Sequence, residues 1–117
     1  MNTRLTSTKA TAIKIEALPG HEEELASLLN QVSGLVADNE PSTNVWHALR
    51  LSQNTFMIFD TFLDESSRNA HFAGKAAQAL KENAEKLIVG GWENGVLAHI
   101  ENYDIISGFV RNLTSEV

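Results

Sequence analysis

The sequence predicts an α+β fold in which one antiparallel sheet carries helices on one of its faces. Segments with period-two apolar alternation and segments with helical periodicity follow one another in the order strand, helix, strand, strand, helix, strand. The second and third strands are separated only by residues 52–54, a connection typical of a hairpin. The strand at residues 55–62 is apolar on both faces, so both faces must be covered.

Composition limits the classes of protein to which the chain can belong. Its 117 residues suffice for one domain with a single core. Lys and Arg number 9 against 15 Asp and Glu, and this net charge of −6 argues against a nucleic-acid surface, which needs clustered cations. No apolar run is long enough to span a membrane, and residues 1–9 lack the apolar segment of a signal peptide. The absence of cysteine excludes disulfides and Cys-bound metals, and we expect a cytoplasmic protein.

The first half of the chain contains three strands and a long helix. The first strand, residues 9–18, alternates apolar and polar side chains and ends at Pro19-Gly20. Three acidic residues, 22–24, then occupy a first helical turn, where the helix dipole favours them, and leucines and valines follow at helical spacing. The second strand is expected at residues 43–51 and the third at residues 55–62.

The second half is predicted to contain a broken helical region and a fourth strand. Residues 64–73 begin with Asp-Glu-Ser-Ser, good capping chemistry, and end near Gly74. Residues 75–89 carry an apolar face and form the second helical piece. Residues 95–103 are expected to form the fourth strand. This β-α-β-β-α-β order is the ferredoxin-like split motif, which leaves the second face of a four-stranded sheet for another copy of the chain.

The chain is expected to form a single domain with two terminal extensions. Residues 1–8 are rich in Thr, Ser and Asn, and we expect them to be flexible. Residues 9–103 form the folded domain. The tail, residues 104–117, is too apolar for a free end, so we expect it to dock on the domain or on the partner subunit.

Asp60 and His71 are the candidate catalytic pair. An imidazole titrates near neutral pH, and a neighbouring carboxylate would orient it and raise its pKa. A carboxylate in an apolar strand needs a partner, because burying it unpaired is costly. His71, Arg68 and a backbone amide are all open as that partner. The alternative to catalysis is a structural pair that closes the core.

Aromatic side chains are the candidate substrate-binding residues. They occur at strand or helix positions near the pair and could line a flat cavity, although such residues are also typical of plain core: Trp46, Phe56, Phe62 and Phe72. Trp92, after the glycine pair, is expected to pack or to act as a lid. His47 and His99 do not predict a metal site, because the second and fourth strands of a ferredoxin-like sheet lie at opposite edges.

Several short motifs resemble the antibiotic biosynthesis monooxygenase (ABM) family. They are Pro19-Gly20-His21-Glu22-Glu23, then Glu40-Pro41 ahead of Trp46, then Phe59-Asp60-Thr61-Phe62-Leu63-Asp64-Glu65 leading to Ala70-His71-Phe72. The resemblance covers residues 10–103. It implies a homodimer whose two sheets form a dimeric α/β barrel, with a small-molecule cavity between each sheet and its helices. Some members of this family oxidise aromatic polyketides or quinols with molecular oxygen and no flavin or metal.

The chain departs from two functional branches of that family. Ile58 and Phe62 stand where the characterised cofactor-free monooxygenases carry an Asn and a Trp, so the amide proposed to steady a substrate anion is missing. Ile13 and Lys81 stand where the haem-degrading branch carries an Asn and a His, which argues against haem oxygenation.

Three functions agree with these observations. The first is a cofactor-independent monooxygenase acting on a small quinol or phenolic, with His71 as base, Asp60 orienting it and no cofactor. The second is a non-catalytic small-molecule-binding dimer of the same fold. The third is an isomerase of a small metabolite that uses the same base without oxygen.

Overall fold

A computed structural model describes residues 2–4 and 7–111 of the chain. The helices and strands follow one another as β1 (Asn2–Arg4), β2 (Lys9–Glu16), α1 (Glu22–Asn39), β3 (Thr43–Arg50), β4 (Thr55–Phe62), α2 (Glu65–Phe72), α3 (Lys75–Leu87), α4 (Gly91–Gly95), a 3₁₀ turn (Leu97–His99), β5 (Ile100–Asp104) and β6 (Phe109–Arg111). The ferredoxin-like order predicted from the sequence is confirmed in β2-α1-β3-β4-α3-β5.

The main sheet has four antiparallel strands in the order β3-β4-β2-β5. The first and third strands of the motif, β2 and β4, lie at its centre and pair along their full length from Lys9–Phe62 to Glu16–Thr55. The second and fourth strands, β3 and β5, are the two edges. This order is that of the ferredoxin-like split motif.

The core lies between this sheet and the helices. Alternate side chains of β2 and β4 point to the helical side, where Ile13 faces Ile58 and Ile15 faces Phe56 across the strands. The apolar stripe of α1 and the buried face of α3 pack against them. No helix within residues 7–111 covers the other face of the sheet, and Phe59 there remains only half-buried.

The prediction of a fourth strand beginning at residue 95 was wrong. Gly95 ends the short helix α4, residues 97–99 form a 3₁₀ turn, and the strand begins only at Ile100. The backbone of Gly95 passes close to that of Val89, and only glycine fits there, because a Cβ at residue 95 would lie 2.2 Å from the carbonyl oxygen of Val89. The side chain of Val96 is therefore buried in the core, but its backbone belongs to a turn and not to a strand.

The two ends of the described chain form a separate two-stranded ribbon, in which β1 pairs antiparallel with β6. The N-terminal residues that we expected to be flexible thus include a short strand. Phe109 and Val110 on β6 are exposed, as is Ile106 before it. Residues 112–117 of the predicted docking tail lie outside the described residues. Among the described residues, no helix is both long and apolar enough to cross a membrane.

Candidate active site

A buried imidazole lies between two acidic side chains where α2 meets the sheet. His71, on α2, is 7% exposed. Its Nε2 lies 3.1 Å from Oδ2 of Asp60 on β4, and its Nδ1 lies 2.5 Å from Oε1 of Glu40, the residue that follows α1. We call these three residues the histidine cluster.

Local structure fixes the direction of the imidazole. The side chain of Asp64 caps α2 by accepting a hydrogen bond of 2.8 Å from the backbone N–H of Ser67, so the helix starts immediately after β4. One and two turns later, Arg68 and His71 lie on the buried side of this helix. The rings of Phe62 and Phe72 pack on the imidazole, with centroids 5.2 and 5.3 Å away.

Glu40 is positioned by the end of α1 and by its neighbours. Its backbone N–H donates to the carbonyl oxygen of Val36 and closes the helix. Its Oε1 accepts a hydrogen bond of 3.0 Å from the hydroxyl of Thr43 in addition to the contact with His71. Gly74 leaves room for its other oxygen, since a Cβ at that position would lie 3.2 Å from Oε2.

Three carboxyl oxygens of the cluster have no hydrogen-bond partner among the described residues: Oε2 of Glu40 and both oxygens of Asp60. The contact between Asp60 and His71 has the distance of an ion pair without the alignment of a hydrogen bond. Because Asp60 is fully buried, only a nearby positive charge or a bound proton offsets the cost of its burial.

Burial and the neighbouring charges shift the pKa values of Asp60 and His71. Burial raises the pKa of Asp60, and the His71 imidazole opposes only part of that rise. Burial by itself lowers the pKa of His71, but Asp60 and Glu40 outweigh it and hold that pKa above its usual value. The two acidic side chains therefore favour the protonated form of His71, which lies between them.

Arg68 is not the partner of Asp60, although the sequence left this open. Its guanidinium donates to the carbonyl oxygen of Ala10 at 3.1 Å and to Glu65 at 2.7 Å. The positive charge of Arg68 acts on Asp60 only at longer range. His71 is thus the group that contacts Asp60 directly.

Two cavities of different character border His71. The inner cavity, between the sheet and helices α3 and α4, has a volume of about 20 Å³ and includes Trp46, Phe72 and Trp92 in its wall. The outer cleft, of about 340 Å³, lies between the loop after α1 and the junction of α2 with α3, and is lined by residues that include Glu40, Thr43, Ser67 and Gly74. The inner cavity is apolar, whereas the wall of the outer cleft includes hydroxyl and carboxyl groups.

The predicted substrate-binding aromatic residues do not share one cavity. Trp46 and Phe72 border the inner cavity. Phe56 lies in a separate groove of about 350 Å³ between α1 and the edge strand β3, where the guanidinium of Arg50 sits 5.0 Å above its ring. Phe62 is completely buried against His71 and lines neither cavity beside the histidine cluster.

Trp92, His47 and His99, which the sequence analysis also considered, lie outside the histidine cluster. Trp92 lies on α4 and packs against the core at the wall of the inner cavity. His47 is exposed on the edge strand β3, whereas His99 lies in the 3₁₀ turn before the opposite edge and donates from Nδ1 to the carbonyl oxygen of Gly95. Within the described residues, no group of three or more acidic, histidine or cysteine side chains is arranged to hold a metal ion.

Sequence reasoning did not identify Glu40 as a site residue. It belongs to a stretch, residues 38–42, that predicts only a loop, and 31 residues separate it from His71. The usable signal is the cost of burying an acidic side chain, but burial at a loop position is not visible in the sequence.

Comparison with solved structures supports the fold and a family relationship. A protein of unknown function from Nitrosomonas europaea superposes with a TM-score of 0.78 and 34% identity, over 88% of this chain and 93% of that one. A Bacteroides thetaiotaomicron protein whose description proposes an antibiotic biosynthesis monooxygenase gives 0.65 and 18%, over 94% and 97%. A Chloroflexus aurantiacus protein with the same proposed description gives 0.64 and 14%, over 87% and 96%. The sequence matches no protein-family model and no curated protein.

The chain has the same α+β fold as the two proteins described as proposed antibiotic biosynthesis monooxygenases, in agreement with the resemblance. Within that fold, the chain belongs to the same family as the Nitrosomonas europaea protein.

Proposed function

We propose that this protein is a cofactor-independent monooxygenase of a small hydroxylated aromatic molecule, a quinol or a phenol. The observation that carries the proposal is the histidine cluster itself, a buried imidazole between two acidic groups with a cavity on each side. Buried acid–base groups with perturbed pKa values beside a cavity are typical of functional sites. The two ABM-like structural neighbours support the reaction class by analogy of fold.

The proposed reaction needs only the substrate, molecular oxygen and an acid–base group. The cluster takes a proton from the substrate hydroxyl, and the resulting anion passes electrons to oxygen and forms a carbon–oxygen bond. Loss of water from the peroxide then leaves a carbonyl. One oxygen atom enters the product and the other leaves as water, so that SH₂ + O₂ gives SO + H₂O. Both reducing equivalents come from the substrate.

We also propose that two chains associate through the uncovered face of the sheet. Leu49 is 45% exposed there, and Met57 and Phe59 are only half-buried. Met57 and Leu49 face each other across β4 and β3, as do Phe59 and His47. These apolar side chains lie beside the exposed Lys14 and Glu101, and a second copy of the same face would remove the apolar surface from water.

A second candidate is a non-catalytic protein that binds a small molecule. It is favoured by the fact that both ring nitrogens of His71 already contact carboxyl oxygens, which leaves neither free for a substrate. An isomerase would use the same acid–base group without oxygen.

Oxygen uptake with a panel of quinols and anthrones tests the proposal. We expect uptake by the wild type and a large loss in Asp60→Asn and His71→Gln, with His47→Gln, an exposed histidine, as the matched control. Binding without uptake would support the second candidate, and turnover of a test metabolite without oxygen would support the isomerase. Equal rates in the wild type and His71→Gln would remove the histidine from the mechanism.

A further inference from the structure

We propose that the ligand enters through the outer cleft and that Glu40, rather than His71, is the acid–base group that meets it. The substrate class used here, a small phenol, rests on the proposed function. The position of the ligand and the identity of the residue that contacts it depend on other observations, which do not involve the proposed reaction.

The first observation is the size of the two cavities. At about 20 Å³, the inner cavity has room for a single water molecule but not for an aromatic ring. The outer cleft, at about 340 Å³, falls within the size range of small-molecule sites. A phenol therefore fits the outer cleft without rearrangement of the core.

The second observation is that both ring nitrogens of His71 already contact carboxyl oxygens. Nδ1 of His71 contacts Glu40, and Nε2 contacts Asp60. A ligand that used His71 directly would have to displace one of these side chains. Asp60 itself is fully buried and borders neither cavity. Of the three residues in the cluster, Glu40 alone combines a place in the wall of the outer cleft with an unused hydrogen-bonding atom.

The third observation is the way in which Glu40 is held. Thr43 and His71 both engage Oε1, which fixes the carboxyl group and leaves Oε2 without a partner. Oε2 is buried beside Gly74, which also lines the outer cleft, so it is an unpartnered polar atom just behind the wall of that cleft. In this arrangement His71 and Asp60 are positioning residues, and a local shift of the cleft wall brings Oε2 of Glu40 into contact with a ligand hydroxyl, whose proton it accepts.

The lining of the cleft indicates what else the ligand carries. Ser42 offers a hydroxyl group and Lys75 an amine at the start of α3, whereas the hydroxyl groups of Thr43 and Ser67 already donate to Glu40 and Asp64. A second hydroxyl or a carboxylate on the ring would find donors there. We therefore expect hydroxylated phenols to bind better than unsubstituted aromatic hydrocarbons.

Anaerobic NMR titration with hydroquinone tests the position of the ligand independently of turnover. Binding in the outer cleft would shift the backbone amide signals of Ser42, Gly74 and Lys75, whereas the inner cavity would be reported by Ala77 and Val96. Shifts confined to the outer set support the proposal. Shifts centred on the inner set, or no saturable shift at all, would overturn it.

Two variants test the residue. Glu40→Gln should weaken hydroquinone binding by about tenfold, because it removes a charge-assisted hydrogen bond. Gly74→Ala places a methyl group 3.2 Å from Oε2 of Glu40 and should also weaken binding, whereas Gly34→Ala, on an exposed turn of α1 with nothing within 4 Å, is the matched control. Unchanged binding in both site variants would overturn the role of Glu40.

The two proposals fail differently. Outer-cleft binding without oxygen uptake by any quinol would refute the monooxygenase and leave this inference standing. Oxygen uptake combined with inner-cavity shifts would refute this inference and leave the monooxygenase standing.

Discussion

Nδ1 of His71 lies 2.5 Å from Oε1 of Glu40, although 31 residues separate the two in the chain. The contact joins the end of α1 to the last turn of α2, and the other nitrogen of the same ring reaches the central strand β4. One imidazole thus connects two helices and the sheet. The same contacts that would orient a proton-transfer group also contribute to stability, and the two roles can be separated by experiment.

Replacing His71 by alanine should destabilise the fold at neutral pH. The substitution leaves Asp60 and Glu40 in place without the imidazole that contacts both, and breaking a buried pair in this way costs about 3–5 kcal/mol. Urea unfolding of the variant and the wild type measures the difference. His47→Ala, at an exposed position on β3, is the control and should stay within about 0.5 kcal/mol of the wild type. A loss below about 1 kcal/mol for His71→Ala would contradict the ion-pair interpretation.

The unfolding free energy should fall as pH rises through the folded-state pKa values of Asp60 and His71. The folded-state pKa of His71 lies above its unfolded value, so its contribution is complete below about pH 6.5 and is lost as pH rises through the folded pKa. The raised pKa of Asp60 acts with the same sign, beginning above about pH 4. Urea unfolding at a series of pH values measures this slope.

The variant Asp60→Asn tests whether the contact between Asp60 and His71 contributes to this pH dependence of stability. Removing the Asp60 charge should lower the pKa of His71, because one of the two carboxyl groups that raise it is gone. NMR titration of the imidazole should therefore give a lower midpoint in the variant than in the wild type. An unchanged midpoint would show that Asp60 does not interact with the imidazole in solution.

The sequence predicts the strands best where side-chain chemistry leaves one choice. The third strand was predicted at residues 55–62 and is observed as Thr55–Phe62, because its β-branched and aromatic residues favour a strand and the preceding polar turn limits it. The apolar run Val96-Leu97-Ala98 was assigned to the fourth strand, yet it lies in turns. A short apolar run does not distinguish a strand from a buried turn, and the close approach of Gly95 to Val89 is a tertiary constraint.

The candidate site was predictable in part for a related reason. Asp60 and His71 were recognisable because a carboxylate in an apolar strand requires a partner, and α2 begins only a few residues later. Glu40 was not recognisable, because the residues around it show no pattern of apolar spacing from which its burial could be predicted. The size of the inner cavity depends on how Trp46, Phe72 and Trp92 pack, which is a property of three elements distant in sequence.

Gly95→Ala should destabilise the protein by more than the usual cost of a surface change. A Cβ at this position would lie 2.2 Å from the carbonyl oxygen of Val89, so the backbone must move. We expect a loss of about 2 kcal/mol or more in urea unfolding, as for other substitutions that overpack a core. Gly34→Ala, with open space around it in α1, should be neutral or stabilising by up to about 1 kcal/mol. Equal stability of the two variants would contradict the described turn.

Phe59→Lys should convert the proposed dimer into a monomer. Phe59 is half-buried on the uncovered face of the sheet, and its neighbours on that face include Ala12 on β2 and His47 on β3. A lysine there places a charge on each copy of a shared face, and burying it between two sheets without a partner is costly. Sedimentation velocity should show the wild type as a dimer and the variant at half that mass. Ala37→Lys, exposed on α1, is the control and should remain dimeric. A wild type that is monomeric at all concentrations would refute the association through this face, whereas a dimer unaffected by Phe59→Lys would place the interface elsewhere on the molecule.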